Sequence, residues 1–65
     1  MVKIDGIKIK VGDWVCFKSD YEQSGQVTKI HGNGVLELFN DDGFGGDYLR
    51  HARFTDVDPD DCWLE

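Results

Sequence analysis

The chain has 65 residues and a formal net charge of −6, and 40% of it is hydrophobic, including two Trp, two Tyr and four Phe. That much apolar and aromatic content excludes a disordered tail. At this size folding hides only about 60% of the unfolded chain's surface, so one thin core is expected, with little volume left for a substrate pocket of the usual ~300 Å³ or more. No run approaches the ~18 apolar residues of a membrane span.

The N-terminal MVKIDGIKIK alternates charge with Ile and forms no signal-peptide block. With only two cysteines, Cys16 and Cys62, a cytoplasmic location with reduced thiols is expected, and a single Cys16–Cys62 bridge is the alternative. Val2, Ile4, Ile7, Ile9 and Val11 keep one phase on each side of Asp5-Gly6, a favoured two-residue turn, which predicts a short hairpin or a sharply bent strand. After Gly12-Asp13, residues Trp14 to Lys18 alternate, with Val15 and Phe17 on one face and Trp14, Cys16 and Lys18 on the other. The polar stretch from Ser19 to Ser24 reads as a loop ending at Gly25.

Gln26 to Ile30 is rich in β-branched residues, and the three-residue step from Val27 to Ile30 predicts a bulge. Gly32-Asn33-Gly34 then signals a hairpin whose two strands run from about 26 to 39. A turn is expected at Asn40-Asp41-Asp42-Gly43, followed by a Gly-rich loop with Phe44 at its tip or folded inward, and a strand or irregular edge from Tyr48 to Phe54. Asp58-Pro59-Asp60-Asp61 reads as a cap residue with Pro at the first position of one short 3₁₀ turn, and Cys62-Trp63-Leu64 as a last strand. Frequent turns between five or six short strands, in one domain spanning 1–65, predict an all-β fold and, at this length, a barrel.

The block from Val11 to Leu38 resembles the KOW and Tudor-like group of small SH3-like barrels. Gly12, Asp13, Val15 and Phe17 match a GDxVxF strand opening, and Gly25, Val27 and Ile30 match the GxVxxI strand after the loop. The likeness implies a five-stranded SH3-like barrel, here with an added N-terminal hairpin. It also implies binding of RNA, of ribosomal or transcription-machinery proteins, or of peptides, through loops and one exposed face. The charge departs from the nucleic-acid-binding members, which are basic. Through His31 there are five Lys against four acids, and from Gly32 onward two Arg against nine acids, or +1 and −7. An acidic surface repels the phosphate backbone that supplies most non-specific nucleic-acid affinity.

Chemistry-bearing motifs are sparse. Asp56, Asp58 and Asp60 open like a calcium loop, but Asp61 stands where Gly is needed and the bidentate Glu position lies past Glu65, so a solvated turn capped by Asp58 is expected. Cys16, His31, His51 and Cys62 have the ligand count of a zinc site without its close spacing. Ser19 and Ser24 lack an elbow motif, and Gly43-Phe44-Gly45-Gly46 lacks the Lys and long helix of a phosphate loop. No cofactor, metal or catalytic residue is predicted.

The expected function is therefore a non-enzymatic protein- or peptide-interaction module, in its most specific form a small acidic regulator or phage-type inhibitor of a host nucleic-acid-handling protein. Its partner-binding residues would be the outward aromatics Trp14, Tyr21 and Phe39 with the acids Asp41, Asp42 and Asp47. Trp63 reads instead as a core plug. The alternative is a nucleic-acid-associated KOW-like domain using Lys8, Lys10, Lys18 and Lys29 with Trp14.

Overall fold

Asp5 and Gly6 both adopt positive φ, 53° and 79°, and so turn the chain tightly between β1 (Lys3–Ile4) and β2 (Ile7–Lys8). This is the expected N-terminal hairpin. The computed structural model describes residues 2–19, 21–45, 49 and 52–64, and among them the chain is all-β apart from one 3₁₀ turn. The main sheet contains β3 (Trp14–Ser19), β4 (Tyr21–Ile30), β5 (Leu36–Phe44), β6 (Ala52–Val57) and β7 (Cys62–Trp63). Its order is β6-β5-β4-β3-β7, all antiparallel, with the 3₁₀ turn Pro59–Asp61 leading into β7.

The sheet is open. Among the described residues its two edges, β6 and β7, do not pair, which corrects the expectation of a closed barrel. The physical reason lies in how the inner face is covered. Val15, Phe17, Val27, Leu36, Leu38 and Phe44 form that face, and Ile4 and Ile9 from the N-terminal segment and Leu49 pack over it. Side chains thus exclude water where edge-to-edge strand pairing would otherwise have to do so. Backbone bonds hold the cover in place, from Ile9 N to Val2 O (2.9 Å) and from Gly12 N to Val27 O (2.8 Å). Ile7 and Val11, which share the phase of Ile9 in sequence, stay exposed.

Two further expectations change. The stretch read as a loop from Ser19 to Ser24 is mostly strand, because β3 and β4 form a tight hairpin with Ser19 opposite Tyr21. Its polar residues are tolerated because Glu22 is exposed and the buried-side amide of Gln23 is paired. Gln23 Nε2 donates to Gly45 O and Gly45 N donates to Gln23 Oε1, each at 2.9 Å. The turn expected at Asn40 to Gly43 is instead a bulged part of β5. The β5–β6 register jumps from Phe39↔Phe54 to Phe44↔Ala52, and Asn40 stabilises the bulge by accepting from Asp42 N and donating to Ser24 O, both at 2.8 Å. The expected strand from Tyr48 to Phe54 is seen as Ala52–Val57, with Tyr48 outside the described residues.

Other local expectations hold. The β4–β5 register shifts between Val27 and Lys29, placing the bulge where the Val27-to-Ile30 step indicated, and Ile30 lies opposite Leu36 across the Gly32-Asn33-Gly34 hairpin. Asp58 caps the 3₁₀ turn by accepting from Asp60 N at 2.9 Å.

Phe44 turns inward, 1% exposed, with its ring centroid 5.5 Å from that of Phe17. It rests on Gly25. A Cβ added there would meet the Phe44 ring at 3.0 Å, Leu38 Cβ at 3.1 Å and the Phe39 carbonyl at 3.3 Å. Because one of these neighbours is backbone, Gly25→Ala is expected to cost about 1–3 kcal/mol, as overpacking does in tight cores. Urea unfolding followed by circular dichroism checks this. A change below about 0.5 kcal/mol would show that the ring moves aside without penalty.

Candidate interaction face

The outer face of the main sheet is assembled by strand parity. Val15 and Phe17 point inward, so Trp14, Cys16 and Lys18 point outward. The register then aligns a row across four strands: Trp14 opposite Gln26, Gln26 opposite Phe39, and Phe39 opposite Phe54. A second row sets Trp63 and Ser24 on either side of Cys16. The result is a band of four aromatic residues, Trp63, Trp14, Phe39 and Phe54, with small or uncharged polar residues between them.

Trp14 and Phe54 remain 58% and 55% exposed, so neither the N-terminal hairpin nor β7 covers Trp14. Phe39 is half-buried under Phe54, their ring centroids 4.9 Å apart at 51°, a favourable tilted arrangement. The band holds two shallow depressions. One, of about 120 Å³, is lined by Trp14, Val15, Cys16 and Ser24, and the other, of about 190 Å³, by Cys16, Glu22, Gln23, Ser24 and Trp63. Both fall short of the ~300 Å³ typical of small-molecule pockets.

The sequence-predicted residues are divided by this geometry. Trp14 and Phe39 share the outer face. Tyr21 lies in the opposite phase of β4, on the side of Gln23, Gly25 and Val27, where its hydroxyl presses so closely on Gly45 that a side chain there would collide with it. Asp41 and Asp42 are exposed on the β5 bulge beside Ser24, and Asp47 is outside the described residues. Trp63 is not a core plug, because its pairing with Cys16 puts it on the outer face. Phe54 joins the face without having been expected there, although its parity carries a signal: it shares its phase with Asp56 and not with Val57.

Of the lysines, Lys18 stands opposite Glu22 and Lys29 opposite Glu37. Lys10 is 3.7 Å from Asp13. Lys8 and Lys10 line, with Ile7, Ile9, Asp13, Trp14 and Leu64, a wide groove of about 310 Å³ on the far side of Trp14.

The remaining chemistry is dispersed. His31 Nε2 lies 3.0 Å from Asp56 Oδ1 at the end of the sheet. His31 follows Ile30, six residues along β4 from Ser24, which is about 20 Å at the rise of a strand, so this pair is not positioned to activate Ser24 or its neighbour Cys16. Among the described residues no three His, Cys, Asp or Glu side chains gather as a metal site, and His51 is not among those residues. No helix there is long and apolar enough to cross a membrane.

Cys16 and Cys62 sit on neighbouring strands, but Cys16 is opposite Trp63 and Cys62 opposite Phe17. Paired residues share a face and successive ones alternate, so the two thiols point to opposite sides of the sheet and stand unbridged. No family model matches the chain, and comparisons with curated proteins and with solved structures also return no match.

Cys62 is held in its thiol form up to about pH 11, first by burial and then by the nearby Asp61, Asp58 and Cys16. Its pKa is raised on folding from an ordinary 9.0, so the stability linked to its proton is complete below pH 9 and lost as pH rises toward 11. Urea unfolding of wild type and Cys62→Ala between pH 8 and 11 is expected to show a steeper alkaline loss in wild type. Parallel curves would refute the assignment.

Proposed function

We propose that the chain is a non-enzymatic protein- or peptide-interaction module whose recognition surface is the outer face of the main sheet. The observation that carries this reading is the exposed aromatic band. Trp14 and Phe54 present large apolar area to solvent at the two ends of an aromatic row bordered by charge, and exposed aromatics with a polar rim are what binding hot spots favour. The depressions beneath are too shallow to enclose a small molecule, and they favour a contact spread over a surface. Asp41, Asp42 and Asp56 at the β5–β6 side favour a partner that is basic there. In its specific form this is a small acidic cytoplasmic regulator, such as a phage-type inhibitor of a nucleic-acid-handling host protein.

We read the fold as an open relative of the SH3-like barrel. In support, the main sheet is a four-strand meander followed by a 3₁₀ turn and a fifth strand that returns to pair with the first. The KOW- and Tudor-like likeness belongs to the same proposal. Gly12-Asp13 leads into β3, Val15 and Phe17 fill the core, and Gly25, Val27 and Ile30 span the bulged strand.

The rival, a nucleic-acid-associated domain, has one observation in its favour: Lys8 and Lys10 share a groove with Trp14, so stacking and charge would act together there. Against it, Lys18, Lys29 and Lys10 each face a carboxylate. Titration with RNA and DNA oligonucleotides at low and moderate salt separates the two. The interaction-module reading expects no binding, and salt-sensitive binding near micromolar would sink it. Conversely, a protein recovered with the tagged chain from its native cell is expected to be lost from Trp14→Ala and Phe54→Ala, and retention by both variants would remove the aromatic band from the reading.

A further inference from the structure

Charge is unequal across the outer face. On the side of β3 and the N-terminal segment, Lys8 and Lys10 border Trp14, with Asp13 as the nearby acid. In the middle, Lys18 and Glu22 oppose each other. On the β5–β6 side, Glu37, Asp41, Asp42 and Asp56 surround Phe39 and Phe54, with Lys29 opposite Glu37 and His31 bonded to Asp56. The N-terminal excess of lysine and the later excess of acid, a pattern along the sequence, have become two sides of one surface, each bearing an exposed aromatic ring.

Such a face is complementary to itself. A two-fold axis parallel to the strands and lying between two facing copies sets β3 and the N-terminal segment of each over β5 and β6 of the other. Trp14 with Lys8 and Lys10 then meets Phe54 with Glu37 and Asp56, and the Lys18 end of β3 meets the bulge that carries Asp41 and Asp42, each twice. The opposite choice of axis, perpendicular to the strands, would stack acid on acid.

We propose that a second copy of this chain covers the outer face in that arrangement, forming a reversible homodimer in which Trp14 of each copy lies against Phe54 of the other. The inference rests on the face being an interaction surface and names a self-partner for it, so a foreign partner competes with the second copy. The molecule measures 30 × 18 × 18 Å. Face-to-face contact therefore covers on the order of 500 Å² per copy, at the small end of specific interfaces. Association aligns two inward-facing layers as in a β-sandwich.

Sedimentation equilibrium from about 10 μM to 1 mM tests this, with tryptophan emission as a second readout, because the chain's two tryptophans, Trp14 and Trp63, both lie on the face. Expected are a rise toward twice the monomer mass and a blue shift that saturate together, and loss of both in Trp14→Ala and Phe54→Ala. Because those variants alter apolar packing, exposed charge reversals supply the decisive arm. Lys10→Glu and Asp56→Lys each weaken self-association about ten-fold, and mixing the two variants one to one restores it as a heterodimer. A wild-type chain that stays monomeric to 1 mM, or a mixture no better than either variant alone, overturns the dimer. That result leaves the interaction-module reading standing, since it is tested by loss of a foreign partner.

Discussion

Everything in the main sheet depends on one close approach, the ring of Phe44 lying on the bare Cα of Gly25 and against the ring of Phe17. Phe17 comes from β3, Gly25 from β4 and Phe44 from the far end of β5, so the contact ties together three successive strands at the point where β5 bulges. The bulge and the contact need each other. Three extra residues on β5 between the Phe39 and Phe44 pairings let the chain swing Phe44 inward, and the absence of a side chain at Gly25 leaves room for it. The Gln23–Gly45 amide pair then closes the end of the sheet by satisfying polar groups that would otherwise lie half-buried and unpaired.

A core this small has to be covered with few side chains. Ile4, Ile9 and Leu49 do so from outside the sheet, and the N-terminal segment that carries two of them is held by hydrogen bonds to β4 through Gly12 and Asp13. Among the described residues, coverage by a hairpin leaves the sheet edges unpaired and the outer face open at Trp14 and Phe54. The aromatic residues there cannot be explained by the core, which lies on the opposite side. Trp14 and Phe54, each more than half exposed, are what a thin domain can least easily leave in water without another use for them.

The same face also carries the chain's charge asymmetry in space. Lys8 and Lys10 border Trp14 at the β3 side, whereas Glu37, Asp41, Asp42 and Asp56 are carried by β5 and β6. Within the sheet, acids placed opposite Lys18 and Lys29 blunt the basic strip that a phosphate backbone would require.

Local signals in the sequence determine a good deal of this protein by themselves. Alternation in Trp14 to Lys18, the Asp5-Gly6 and Asn33-Gly34 turns, the bulge step from Val27 to Ile30 and the Asp58 cap are all written in short windows, because turn conformation and pleat parity are properties of neighbouring residues. Of the candidate site, Trp14 and Phe39 were legible from parity alone. What only the tertiary structure decided is everything set by register between strands distant in sequence. That Trp63 falls opposite Cys16 and not opposite Phe17, that Phe54 stacks on Phe39, that Tyr21 faces away, and that the edges stay apart each depend on a one-residue choice of pairing that flips every side chain to the other face. Such choices are made by the packing of Phe44 on Gly25 and by the N-terminal cover, contacts between residues far apart along the chain that no local pattern encodes.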